Sequence, residues 1–191
     1  MEETSMEDLK SIAEEMLNMP DNELMAKLPT LAPKLKGKVK DLMDTMPDLP
    51  RRIVKKMDET NVKKMANEAI ESVNAFTEIL WEGIAAVAEK NEEFKKALKN
   101  VGNIKLNYEA DDSPMCGHEE ITNAKIAGGP GKLNSVDITV KGHTDVLVKL
   151  VTGGLDPVKG LMMRNFKLEG PLTLGMKLTG AMKAMADALK A

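Results

Sequence analysis

The residues best equipped for chemistry lie close together at Cys116-Gly-His118-Glu119-Glu120, with His143 further on. Cysteine, histidine and carboxylates are the ligand types of a zinc site. A structural site needs four of them at defined spacing, and the chain holds one cysteine and two histidines. Cys116 with a histidine also has the composition of a nucleophile and its base, but no third group is placed to orient the base. The weight falls on a solvated strand edge, so no metal, cofactor or catalytic residue is expected. Gly128-Gly-Pro-Gly-Lys132 has the glycines of a phosphate loop without the Walker spacing or the following Ser/Thr, and reads as a turn. An activity of Cys116 or His118 would be exposed by its loss in Cys116→Ala.

A third grouping is electrostatic. Lys34, Lys36, Lys38, Lys40, Arg51, Arg52, Lys55 and Lys56 face only Asp41, Asp44 and Asp48 over the same span. A solvated helix face is the plain reading. The functional reading is docking on an anionic membrane, where each surface cation contributes about 1 kcal/mol. The net charge of the whole chain is −3, so nucleic acid is not an expected partner.

The elements that would position these groups change character near residue 100. Before it the apolar residues recur at helical spacing; after it come β-branched alternation and glycine turns. Met6, Leu9, Ile12, Ala13, Met16 and Leu17 define a first helix that opens on Ser5 with Asp8 and ends at Pro20. A second piece carries Leu24, Met25 and Leu28 before Pro29. A third, from about 33 to 46, aligns Leu35, Val39, Leu42, Met43 and Met46, and Asp48 with Pro50 restarts a fourth. Thr60 or Asn61 then caps one long helix, from Val62 to Ala88. Glu92 to Leu98 form another.

In the second half, Ile104 to Tyr108 alternate as a strand, a weaker strand runs from about 117 to 126, and 128–131 is read as a loop. Val136, Ile138 and Val140 alternate with Asp137, Thr139 and Lys141. Val146, Leu147, Leu150 and Val151 mark a helix stopped at Gly153-Gly154, and Asp156 with Pro157 starts another. Phe166 and Leu168 form a last strand. Leu174, Leu178, Met182, Met185 and Leu189 follow at helical spacing.

The run VDITVKGHTDVLVKLVTGGLDPVKGLMM, followed by FKLEG and LGMKL and preceded by NEEFKKALKNVGNIKLNYEA, resembles the sterol carrier protein type 2 family of non-specific lipid-transfer domains. The resemblance covers residues about 91–191. It implies an α+β fold: a five-stranded mixed sheet covered on one face by helices, with an apolar ligand in a tunnel between the layers. Family members carry sterols, fatty acids, acyl-CoA or phospholipids without chemistry of their own. Carried onto this chain, the tunnel wall would comprise Val136, Ile138, Val140, Leu147, Leu150, Leu161, Met162, Phe166, Leu168, Met176, Leu178 and Met182. Met163-Arg164 stands where the family commonly has Gln-Gly, the Gln being a candidate for a ligand's polar end. Met163 therefore joins the ligand-binding set. Glu119 and Glu120 also depart from the apolar alternation expected of their strand.

This gives three segments: a helical Met-rich extension at 1–60, a long connecting helix at 61–90 and the lipid-binding domain at 91–191. The expected function is non-enzymatic intracellular carriage of a long-chain lipid in a soluble, cytoplasmic protein. With 15 methionines and 3% aromatics, the interior should be soft: filling of helical cores is the plain reading, and a lining that accepts varied apolar guests the sharper one. Burying a sixteen-carbon chain offers about 12 kcal/mol gross, against association costs of roughly 4–15 kcal/mol, so micromolar binding is the expectation. The competing reading is a scaffold whose tunnel is filled by its own side chains. Its N-terminal helices would then engage a protein partner or a second copy of the chain.

Overall fold

A computed structural model describes residues 5–190. The chain opens with α1 (Met6–Asn18), capped by a reciprocal Ser5–Asp8 box, and α2 (Asp21–Leu35). Then come α3 (Val39–Thr45), α4 (Leu49–Glu59), α5 (Val62–Glu68), α6 (Ile70–Lys90) and α7 (Glu92–Val101). The second half is β1 (Ile104–Ala110), β2 (Cys116–Thr122), β3 (Lys125–Pro130), β4 (Ile138–Gly142), α8 (Thr144–Thr152), α9 (Pro157–Met162), β5 (Phe166–Glu169) and α10 (Leu172–Lys190).

The helical expectations need two corrections. Pro29 does not end its helix: α2 runs through both Pro29 and Pro33 to Leu35, and Gly37 at φ +75° makes the turn instead. Pro29 removes the N–H that would pair with the Met25 carbonyl. The Ser72 hydroxyl of α6 donates to that carbonyl at 2.6 Å, so the proline leaves no orphan acceptor. The long helix from Val62 is in turn broken at Ala69 (φ −152°, ψ 67°). The break frees α5 to lie against α8 as well as α6.

The sheet has the order β3-β2-β1-β4-β5, with β1 and β4 parallel and the other pairs antiparallel. Here too the strand expectations are corrected. The single weak strand is a hairpin, β2 and β3, joined through Asn123 and Ala124 at φ 53° and 59°, the left-handed pair that a two-residue turn demands. Gly128 to Pro130 belong to β3 rather than to a loop. Val136 lies ahead of β4, which starts at Ile138.

Register sorts the side chains by face. Ile104, Leu106 and Tyr108 share one face with Glu119, Ile121, Ile126, Ile138, Val140, Phe166 and Leu168. The helices cover this inner face. The outer face carries the cross-strand pairs Lys105–Glu120 and Lys141–Glu169. The connection 131–137 crosses that outer face, held by Asn107, whose side-chain amide exchanges two hydrogen bonds with the Leu133 backbone (2.9 and 3.0 Å). One apolar core extends from Leu9 to Leu189 and joins the N-terminal helices to the sheet.

Candidate functional site

Between α4, α6, α8 and the inner face of β1 and β2 lies an apolar cavity of about 40 Å³. Its walls include Met57, Leu80, Trp81, Tyr108, Leu147 and Val151. Trp81 reaches it because Gly128 has no Cβ; a methyl there would overlap the indole and lie 2.7 Å from the His118 carbonyl oxygen. The Trp81 and Tyr108 rings are 6.5 Å apart and tilted by 34°. A larger recess of about 1330 Å³ runs along α6, α7 and β3, but it is open to solvent and lined by charged residues including Lys95, Lys96, Lys99 and Glu120.

The polar member of the interior is Glu119. It sits on the inner face beside Leu106 in the register and is 2% exposed. Tyr108 donates its phenol hydrogen bond to it at 2.6 Å. Burial lifts the carboxyl to about 7, and the bond from Tyr108 only partly opposes this. Burial, and then the neighbouring carboxylate, push the Tyr108 phenol well above its ordinary value. Strand alternation puts Glu120 on the opposite face against Lys105 (2.9 Å), where a charged side chain is solvated.

The same alternation takes Glu119 out of the Cys116–Glu120 cluster and leaves His118 and Glu120 on the outer face. His118 bonds the Gly131 carbonyl from the outer face (3.1 Å). His143 lies instead beside Asp112, 3.2 Å away. Among the described residues, the one grouping within reach of a single ion is Asp111, Asp112 and His143. Asp112 already accepts from the Thr144 amide (2.8 Å) and hydroxyl (2.6 Å), capping α8, and pairs with Lys63 at 2.9 Å. Partial burial raises its pKa, but these bonds outweigh it and hold the carboxyl far below the usual range.

The residues expected to line a tunnel separate into three groups. Ile138, Val140, Leu147, Leu150, Phe166, Leu178 and Met182 are buried, and Leu147 is the one among the expected set that borders the cavity. Val136, Leu161 and Leu168 are half-buried. Met162, Met163 and Met176 are exposed to 79%, 72% and 64%. Arg164 takes φ +58°, a left-handed conformation suited to the glycine that the family commonly has there. Met57, Leu80, Trp81 and Tyr108 were not anticipated as wall residues. The alternation of Ile104, Leu106 and Tyr108 already carried the signal for Tyr108.

The eight N-terminal cations do not form one free face. Lys36 pairs with Glu78, Lys40 with Glu89, Arg52 with Glu14 and Lys55 with Glu59. Lys56 donates to the Met19 carbonyl. Among the described residues Lys34, Lys38 and Arg51 have no ion pair.

With this geometry in place, residues 85–183, just over half of the chain, match the SCP-2 sterol transfer family. The chain belongs to that family. Membership carries a general lipid-binding or lipid-transfer role on a fold that is, as a rule, non-enzymatic. Among solved structures, the chain is similar to apo sterol carrier protein 2 from Yarrowia lipolytica, at 15% identity over 58% of this chain and 92% of that one (TM-score 0.44). It is also similar to the sterol carrier protein domain 2 of Helicoverpa armigera, at 20% identity over 56% and 85% (TM-score 0.43). The sec-alkylsulfatase Pisa1 from Pseudomonas sp. aligns over 91% of this chain and 29% of its own, at 15% identity (TM-score 0.41). Comparison with curated proteins gives no match. No helix among the described residues is long and apolar enough to cross a membrane.

Proposed function

We propose that this protein binds and transfers a long-chain apolar lipid, held between the inner sheet face and the helices α6 and α8. A fatty acid, an acyl-CoA or a sterol-like molecule fits the description. The observation that carries the reading is the apolar cavity walled by Met57, Leu80, Trp81, Tyr108 and Leu147, in a chain of the sterol transfer family. At about 40 Å³ it is far below the roughly 300–1,000 Å³ of a pocket that encloses a drug-sized molecule. Loading therefore requires the wall to move. Met57 and Met115 are unbranched and adaptable, and their displacement would enlarge the space at little strain.

The small cavity also supports a second reading, a scaffold filled by its own side chains that engages a partner protein or a second copy through the N-terminal helices. Lipid extraction of natively purified protein and mass spectrometry separate the two. Carriage predicts a released long-chain lipid and a changed Trp81 emission on adding a fluorescent fatty acid. Repeatedly empty protein with no uptake and an unmoved Trp81 signal would leave the scaffold.

A further inference from the structure

Six large apolar side chains stand exposed among the described residues. Five of them lie between residues 158 and 176: Val158 (49%), Met162 (79%), Met163 (72%), Leu172 (71%) and Met176 (64%). They occupy α9, the turn after it and the first turns of α10. Because α9 packs against both β5 and α10, these segments belong to one corner of the molecule. Leu172 and Met176 are one helical turn apart and so share a face of α10. Of the other large apolar residues of α10, Leu178, Met182, Met185 and Leu189 are buried in the core and Leu174 packs half-buried against it, so the exposed pair is not the edge of a helix looking for its place in the fold.

The charge around this corner is mostly cationic, although the exposed carboxylate of Asp156, the α9 N-cap, lies within the field of Lys159. Lys159, Arg164, Lys167 and Lys177 are all exposed. None of the four is in an ion pair among the described residues, and the one anion in this stretch, Glu169, is held by Lys141 at 2.9 Å. A chain with a net charge of −3 therefore keeps a free cationic rim around its main exposed apolar tips. The N-terminal cations, by contrast, are largely consumed by Glu14, Glu59, Glu78 and Glu89.

We infer that this corner docks the protein on an anionic lipid bilayer. Methionine and leucine tips enter the boundary between headgroups and acyl chains, while the lysines and the arginine meet the anionic headgroups. Five apolar side chains at element ends fall short of the roughly 20–30 residues that a stable protein interface supplies on each side. Shallow insertion needs no more than a few such tips with cations beside them. The inference stands on exposure and charge, not on carriage: a protein that releases no lipid but binds vesicles leaves it intact.

The test is sedimentation of the full chain with vesicles of phosphatidylcholine, alone or with a fraction of phosphatidylserine. Binding is expected to be at least about ten-fold tighter to the anionic vesicles and to weaken with salt. Each of Lys159→Gln, Lys167→Gln and Lys177→Gln should lower it by about five-fold. Met162→Ser with Met163→Ser should lower it too, at unchanged circular dichroism. Lys34→Gln with Lys38→Gln and Arg51→Gln should leave it in place. Hydrogen exchange of the unmodified protein gives a readout independent of any variant: vesicles should protect residues 158–177. Equal binding to both vesicle types, or protection over residues 34–56 instead, would overturn the assignment.

Discussion

Glu119 is a carboxylic acid that the fold buries to 2% exposure with Tyr108 as its hydrogen-bond partner. Its folded pKa of about 7 lies above its ordinary value of 4.5. Between those values the folded state holds a proton that the unfolded state has released, so stability falls as pH rises through the window and levels off above it. The loss is on the order of 3 kcal/mol. Glutamine can accept the Tyr108 bond and cannot ionise. Glu119→Gln should therefore match the parent protein at about pH 5 and melt roughly 5–10 °C higher at about pH 8. Thermal unfolding at the two pH values checks this; a difference that is the same at both would remove Glu119 as its cause. At this scale the sequence was only half readable. Glu119 and Glu120 stood out as breaks in the alternation, but which of the two was buried depended on register with Tyr108, and adjacent residues on a strand differ only by which face they take.

At the scale of elements, punctuation residues were an uneven guide. Gly153 at φ +77°, Asp156 with Pro157, and Asn91 bound α8, α9 and α7 as their residue types imply. Pro29 sits inside α2 because a residue 43 positions later in the chain, Ser72, supplies the missing donor. No local pattern encodes that compensation. Ala69 likewise breaks a helix with no proline or glycine, since tertiary packing of α5 against α8 decides it. Ser72→Ala should cost about 1–3 kcal/mol in urea unfolding, because it leaves the part-buried Met25 carbonyl unpaired. The same change in a Pro29→Ala background, where the backbone N–H returns, should cost distinctly less. Equal costs in the two backgrounds would mean that Ser72 acts by packing alone.

Over the whole molecule, the family resemblance carried the five-stranded mixed sheet and its helical cover, and the alternation of Ile138 and Val140 marked the inner face. What it could not supply was the relation between halves. Thr152 donates to Asp58 at 2.6 Å, Lys63 pairs with Asp112 and Lys190 donates to the Gly153 carbonyl at 2.8 Å. The first two of these bonds clasp α4 and the start of α5 to the sheet half and its helices. Long-range pairings of this kind leave no periodic trace; Met57 from the 1–60 segment and Leu80 and Trp81 from the 61–90 segment border the cavity beside residues of the sheet half.

The Asn107 clasp on Leu133 bears on the order in which the protein assembles. β1, β2 and β3 form by closing short loops, whereas β1 must wait for β4 to arrive from 32 residues away, Leu106 beside Ile138. Such late, parallel closures set the pace of folding. By fastening the crossing segment over β1, the amide of Asn107 shortens the search that β4 has left to make. Asn107→Ala should then slow refolding in stopped-flow measurements rather than only hasten unfolding; an unchanged refolding rate would place the clasp after the barrier. A side chain with no part in any ligand site would thus govern how long the half-built sheet stays exposed.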